Sequence, residues 1–191
     1  MTKLKDHHHD ITSIKSLIQA FFDAINAADT HALASHFFPS ANLTILRQDP
    51  PLPPSPTHYP AYASLAPIPT TPSPHSISTP EEKLSVVIRT SIENFIALIE
   101  EGKKRREGKP GPSLFEKPDL DATDVKIDGL FASAWSPFSV TFDGVLHHYG
   151  VMVYSLGKGE DGEEERRWRI EGLTQNYRRT PGWGESSGAV L

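Results

Sequence analysis

Asp143-Gly144 stands between two long β-prone runs, Phe131 to Phe142 and Val145 to Leu156. An Asp-Gly pair in that setting is a strong short-range hairpin signal, because the turn needs positive φ and glycine supplies it without steric cost. A third run, Trp168 to Arg179, follows a charged loop and completes a three-strand meander. Everything else in the chain has to pack around those strands.

The strand phase decides what faces what. His148, Gly150, Met152, Tyr154 and Leu156 share one face, and His147, Tyr149, Val151, Val153 and Ser155 share the other. On that phase His147 and His148 point to opposite faces and cannot chelate together. Trp168 and Ile170 are in phase, but Leu173, Gln175 and Tyr177 are shifted by one residue across Gly172. The shift predicts a β-bulge there and hence a bent, cupped sheet.

With 191 residues, 21.1 kDa and 37% hydrophobic content, the chain fits one domain with a single core. A net charge of -5 and a pI near 6.0 argue against nucleic acid as a partner. Lys103-Lys104-Arg105-Arg106 is balanced by Glu100, Glu101 and Glu107 and reads as a solvated helix end. No apolar run has the roughly 18 to 20 residues of a membrane helix, and the first residues are polar rather than signal-like. Zero cysteines exclude disulfides and thiolate chemistry. The default is a soluble, cytoplasmic protein.

Residues 1–9 read as a mobile tail, and His7-His8-His9 lacks the spacing of a built metal site. Asp10 is the expected N-cap of a helix with Ile11, Ile14, Ile18, Phe21 and Ile25 at helical spacing, its stripe widened by Leu17 and Phe22. Asp29-Thr30 caps a short second helix that Pro39 stops, and Asn42 to Arg47 forms a first strand. Between Pro50 and Pro80 stand eleven of the 17 prolines, a polyproline-like insertion that cannot join a ladder. It crosses the surface, closes as a lid through Tyr59, Tyr62, Leu65 and Ile68, or serves as a ligand for another protein's aromatic groove. Thr79-Pro80-Glu81-Glu82 has the pattern of a capping box and predicts a helix through Leu84, Val87, Ile88, Ile92, Phe95, Ile96 and Ile99 to Gly102. One or two short strands follow before the meander. Helices first and strands last imply an α+β fold, its helices against one side of a strongly bent antiparallel sheet.

That order, with Ala134-Trp135-Ser136-Pro137-Phe138, Asp143-Gly144, His148-Tyr149-Gly150, Trp168-Arg169-Ile170 and Tyr177-Arg178-Arg179, resembles the nuclear transport factor 2-like superfamily, particularly its SnoaL-like branch. The resemblance covers residues 10–49 and 79–180. It implies one cone-shaped domain over 10–180, about three N-terminal helices, the Pro-rich insertion 50–80, and a C-terminal tail 181–191 outside it. It also implies a pocket at the open end and a dimer through the sheet. That fold hosts isomerases, dehydratases, cyclases, hydrolases and non-catalytic subunits, so it does not name an activity. His148 to Arg179 also resembles the scytalone dehydratase family. The family's helix-one tyrosine and aspartate fall near Ile25 and Asn26, its strand histidine near Phe138, and its serine and asparagine at Gly150 and Met152. With those polar groups replaced, the dehydratase mechanism is not supported. The comparison places Phe138, His148, Gly150 and Met152 inside the cone, joined by Phe22 and Ile25, with Leu173, Gln175 and Tyr177 near its mouth.

The expected pocket is mostly apolar and suits a small hydrophobic molecule. His148 is the candidate acid/base, its unperturbed pKa near 6.5 being suited to that role. Trp135 and Trp168 read as core. No phosphate loop, His-Glu-x-x-His metal motif or Gly-x-Ser-x-Gly elbow occurs, so neither cofactor nor metal is expected. Three functions follow: a small-molecule binder without assured catalysis; a cofactor-independent isomerase, dehydratase or cyclase acting on an aromatic or polyketide-like substrate; and a dimeric interaction module that uses the outer sheet face and the proline-rich segment.

Overall fold

Asp143 and Gly144 take φ of 49° and 78° and turn the chain from β5 (Phe131–Phe142) into β6 (Val145–Asp161). Both residues of the turn thus lie in the left-handed region that matches the twist of the flanking strands. A second antiparallel pairing joins β6 to β7 (Glu164–Arg179). The computed structural model describes residues 2–49, 82–106, 113–161 and 164–181, and the insertion and C-terminal tail lie outside that set apart from Pro181. Before the meander come α1 (Thr2–Ala27), α2 (Thr30–Ser35), β1 (Phe37–Asp49), β2 (Lys83–Ser91), α3 (Ile92–Arg106), β3 (Leu114–Pro118) and β4 (Asp124–Asp128).

The strands form one curled, unclosed sheet in the order β2-β1-β7-β6-β5-β3, with β4 also on β5. All pairs are antiparallel except β1 with β7, so the sheet is mixed rather than antiparallel throughout as the sequence led one to expect. Among the described residues, three of its five register shifts are bulges that leave a single residue unpaired and help curl it. Ser155 opposes Gly172 while Leu156 opposes Ile170, leaving Glu171 as the extra residue beside the expected glycine. The others leave out His147 on β6 and Val87 on β2. Extra residues on one strand bend it and increase its twist.

The concave side receives α1. Ile14, Ile18, Phe21 and Phe22 are 2% exposed or less, and Phe21 meets Tyr154 edge-on at 6.1 Å while Phe22 lies 6.4 Å from Phe138. At its far end α1 also completes an edge of the sheet. The Asn26 amide donates to Glu116 O at 2.8 Å and accepts from Glu116 N at 2.8 Å, so it takes the place of a neighbouring strand on β3.

Four expectations about individual elements and residues change as well. α1 begins at Thr2, so residues 2–9 are helical and Asp10 lies inside the helix. Its carboxylate accepts from Lys158 Nζ at 2.7 Å and Trp168 Nε1 at 2.9 Å instead of capping, which docks α1 on the sheet. Second, Lys83 to Ser91 is a strand and the helix starts only at Ile92, with Ser91 Oγ accepting from Asn94 N at 3.4 Å. Val86, Val87, Ile88 and Thr90 are β-branched, and pairing with β1 overrides the helical spacing. The proposed cap residues Thr79 to Glu81 lie outside the described residues. Third, β1 runs on both sides of Asn42 to Arg47 and contains Pro39. Fourth, Trp168 is core at 5% exposure but Trp135 is 55% exposed on the outer face. Asp29 caps α2 as expected, accepting from Ala32 N at 3.0 Å.

Candidate functional site

Pairing and alternation place one set of side chains on the concave face. Glu116 opposes Val140, Val140 opposes His148, Gly150 opposes Tyr177, and Tyr177 lies beside Arg47. Deep in the cone the space is filled by the protein itself. Phe22, Phe138, Met152 and Leu173 are 3% exposed or less. Gly150 is also buried, and a Cβ there would stand 1.9 Å from Asn176 O, so only glycine lets β6 approach β7 this closely. Ile25, His148, Gln175 and Tyr177 remain partly exposed and form the accessible wall above that floor.

Two polar groups on this face, Glu116 and Tyr154, were not named as site residues from the sequence. Glu116 keeps some accessible surface as a residue, but its carboxyl is surrounded deeply enough that desolvation pushes its pKa up to about 7. Its charge also helps raise the phenol of Tyr154, which burial already holds well above its ordinary value. Tyr154 is fully buried and donates to Met152 Sδ at 3.2 Å. A carboxyl poised near neutrality in an apolar wall is suited to giving and taking a proton.

His148 has a different character. Burial, aided by the neighbouring His147, lowers it to about 3, and burial and the Arg179 charge lower His147. The bulge overturns the expectation that the two rings point apart: His148 opposes Val140 and Leu146 opposes Thr141, so His147 is the extra residue. The two Nδ1 atoms lie 2.8 Å apart, one donating and the other accepting according to tautomer. His148 packs edge-on to Phe138 at 6.1 Å and against Tyr177 at 4.8 Å. Neutral at physiological pH and this hard to protonate, it is a weak base.

At the rim, Arg47 Nε lies 2.9 Å from Asp49 Oδ2 and Arg179 Nη2 lies 3.7 Å from Asp49 Oδ1. Arg47 also bonds the Tyr177 phenol, which burial raises overall. Elsewhere, an open groove of about 580 Å³ is lined by Ala28, Thr30, Glu100, Lys103, Lys104 and Arg106. There Thr30 Oγ1 donates to Glu100 and Lys103 Nζ donates to Ala28 O, contacts that pack α3 against the end of α1 and the start of α2. Among the described residues no three His, Asp or Glu side chains are grouped to hold a metal, and no helix is long and apolar enough to cross a membrane.

No protein family's sequence profile matches the chain, and no curated protein matches it. Solved structures do. A nuclear transport factor 2-like protein with a cystatin-like fold from Novosphingobium aromaticivorans aligns at TM-score 0.54 and 14% identity, covering 94% of this chain and 88% of that one. The β subunit of benzoate 1,2-dioxygenase from Burkholderia mallei aligns at 0.56 and 8%, covering 88% and 91%. A conserved protein from Planctomyces limnophilus aligns at 0.53 and 11%, covering 90% and 98%. At such identities the likeness is one of fold: the chain has the α+β, nuclear transport factor 2-like fold, shared by proteins of differing roles.

Proposed function

We propose that the chain binds a small, mainly apolar molecule on the concave face, against the wall formed by Ile25, Glu116, His148, Gln175 and Tyr177. One observation carries this reading: a partly exposed wall of mixed polarity stands directly over a closed apolar floor of Phe22, Phe138 and Met152. Native mass spectrometry of the purified protein against the denatured sample tests it. A small mass released on denaturation is the expected result. An empty protein that also fails to bind naphthalene-sized apolar probes at millimolar concentration would overturn it.

Glu116 favours a second reading, a cofactor-independent isomerase, dehydratase or cyclase. In it Glu116 rather than His148 moves the proton, because a carboxyl near 7 exchanges protons at neutral pH and a histidine near 3 does so poorly. Gln175 or Tyr177 would orient a substrate oxygen. On this reading Glu116→Gln loses turnover by about two orders of magnitude while retaining ligand, whereas equal turnover in the variant removes it.

We also propose a homodimer through the outer sheet face, where Trp135, Phe115 and Val86 are each more than half exposed.

A further inference from the structure

The rim of the concave face holds a charge imbalance. Arg47 and Arg179 converge on the single carboxylate of Asp49, and their side chains are 30% and 17% exposed. Each guanidinium carries five N–H donors, and Asp49 offers two oxygens to both. Arg179 Nε is buried and has no acceptor among the described residues. Among the described residues, Glu82 supplies one further carboxylate at this end of the sheet, where it accepts from the Gln48 amide at 3.5 Å, while the groups packed on the two arginines carry no negative charge. His147 and His148 are neutral, and Tyr177, bonded to Arg47, is a phenol whose pKa is raised. Lys83, opposite Asp49 on β2, adds a cation to the same end of the sheet, beside the Glu82 carboxylate. Residues 50–80, which follow Asp49 in the chain, contain no Asp or Glu, and Glu81 and Glu82 come directly after them.

The position of this corner gives the imbalance meaning. Arg47 follows Leu43 and Ile45 on the concave side of β1, and Arg179 follows Leu173, Gln175 and Tyr177 on that side of β7. The guanidiniums therefore stand at the open end of the wall assigned above to ligand binding, with Tyr177 between them and the interior. We propose that they read a carboxylate, so that the ligand is an apolar, ring-sized acid. Its carboxylate takes the planar forks of Arg47 and Arg179, and its body lies toward Tyr177, His148 and the Glu116 carboxyl. Two guanidiniums suit a planar carboxylate better than two ammoniums would, because the fork presents parallel N–H donors at the right spacing. The proposal rests on the concave face being the binding site and adds the chemical class of what binds there.

The test compares 2-naphthoate with 2-naphthamide, alike in shape and unlike in charge, by calorimetry on the full chain. The acid is expected to bind at least about tenfold more tightly than the amide, since only the acid sets a negative charge and two equivalent acceptor oxygens against the guanidiniums. Arg179→Gln and Arg47→Gln should each erase most of that difference, weakening the acid far more than the amide. Arg179→Lys, which keeps the charge and loses the fork, should fall between. Melting curves establish that each variant is folded, and if one is not, the others carry the comparison. Equal binding of acid and amide by the unaltered protein would overturn the carboxylate proposal and leave the apolar site standing. A preference that survives both Arg→Gln changes would overturn it as well, by placing the anion elsewhere. Failure of both probes to bind would sink it together with the binding reading on which it rests.

Discussion

Glu116 is the residue whose chemistry is most altered by the fold, and its effect on stability has a definite sign. Its pKa rises from 4.5 to about 7, so between those values the native state holds more protons than the unfolded chain. Stability therefore falls as pH rises through that window, and the full penalty is present above it. Glu116→Gln should be more stable than the parent at pH 8, by about 2 kcal/mol after discounting for residual exposure, with the gain vanishing below pH 4.5. Thermal unfolding of both proteins at pH 4 and pH 8 checks this, and a variant less stable at pH 8 would mean that the carboxylate has a partner. Nothing in the local sequence singles Glu116 out. It sits in a five-residue strand, and its surroundings come from β5, β6 and α1, far away along the chain. The histidines were conspicuous in the sequence, but their properties depend on a one-residue bulge that alternation could not show.

At the scale of elements, the join between α1 and the sheet invites a test. Burial alone would raise the Asp10 pKa, but the hydrogen bonds from Lys158 and Trp168 together bring it below the ordinary value of 3.8. A lowered carboxylate contributes stability above its unfolded pKa and loses it as pH falls through the folded one. Asp10→Asn should cost about 1 to 2 kcal/mol at pH 7 and much less at pH 2. Urea unfolding at the two pH values measures the difference, and an unchanged cost at pH 2 would assign the effect to packing. A harsher change is Gly150→Ala, whose Cβ would meet Asn176 O at 1.9 Å, so β6 and β7 must separate. A loss of about 3 kcal/mol or more is expected from strain in so central a pair, read by the same urea series. The meander was legible because its turn and strand patterns are local. β2 was not, because Leu84, Val87 and Ile88 satisfy helical spacing as well as they serve a strand, and only β1 decides between them. Nor was the parallel β1–β7 pair, which joins segments as far apart in the chain as Arg47 and Tyr177.

For the molecule as a whole, the two faces of the sheet present different surfaces. The concave face is covered by α1 and carries the candidate site, while the outer face exposes Trp135, with Val153 opposite it on β6 and Pro137 and Val151 paired two residues further on. Among the described residues Trp135 is 55% exposed in the middle of a strand, so it is not part of the core that its sequence pattern suggested. Asp124 pairs with Trp135 on the β4 side and is joined to Lys126 at 3.7 Å, which supplies a charged rim beside the apolar strip. An apolar centre with a polar edge is the anatomy of a protein interface, and a twofold dimer requires only that the patch match itself. The unaltered chain should therefore sediment at twice its 21.1 kDa in the tens of micromolar range, and Trp135→Glu should sediment at 21.1 kDa. Because the concave site faces away from that strip, the variant should bind 2-naphthoate within about twofold of the parent, as expected for distant, independent sites. A monomeric parent would exclude the dimer. A monomeric variant that also loses the ligand would mean that the partner copy helps shape the concave face, which would bind the two proposals into one.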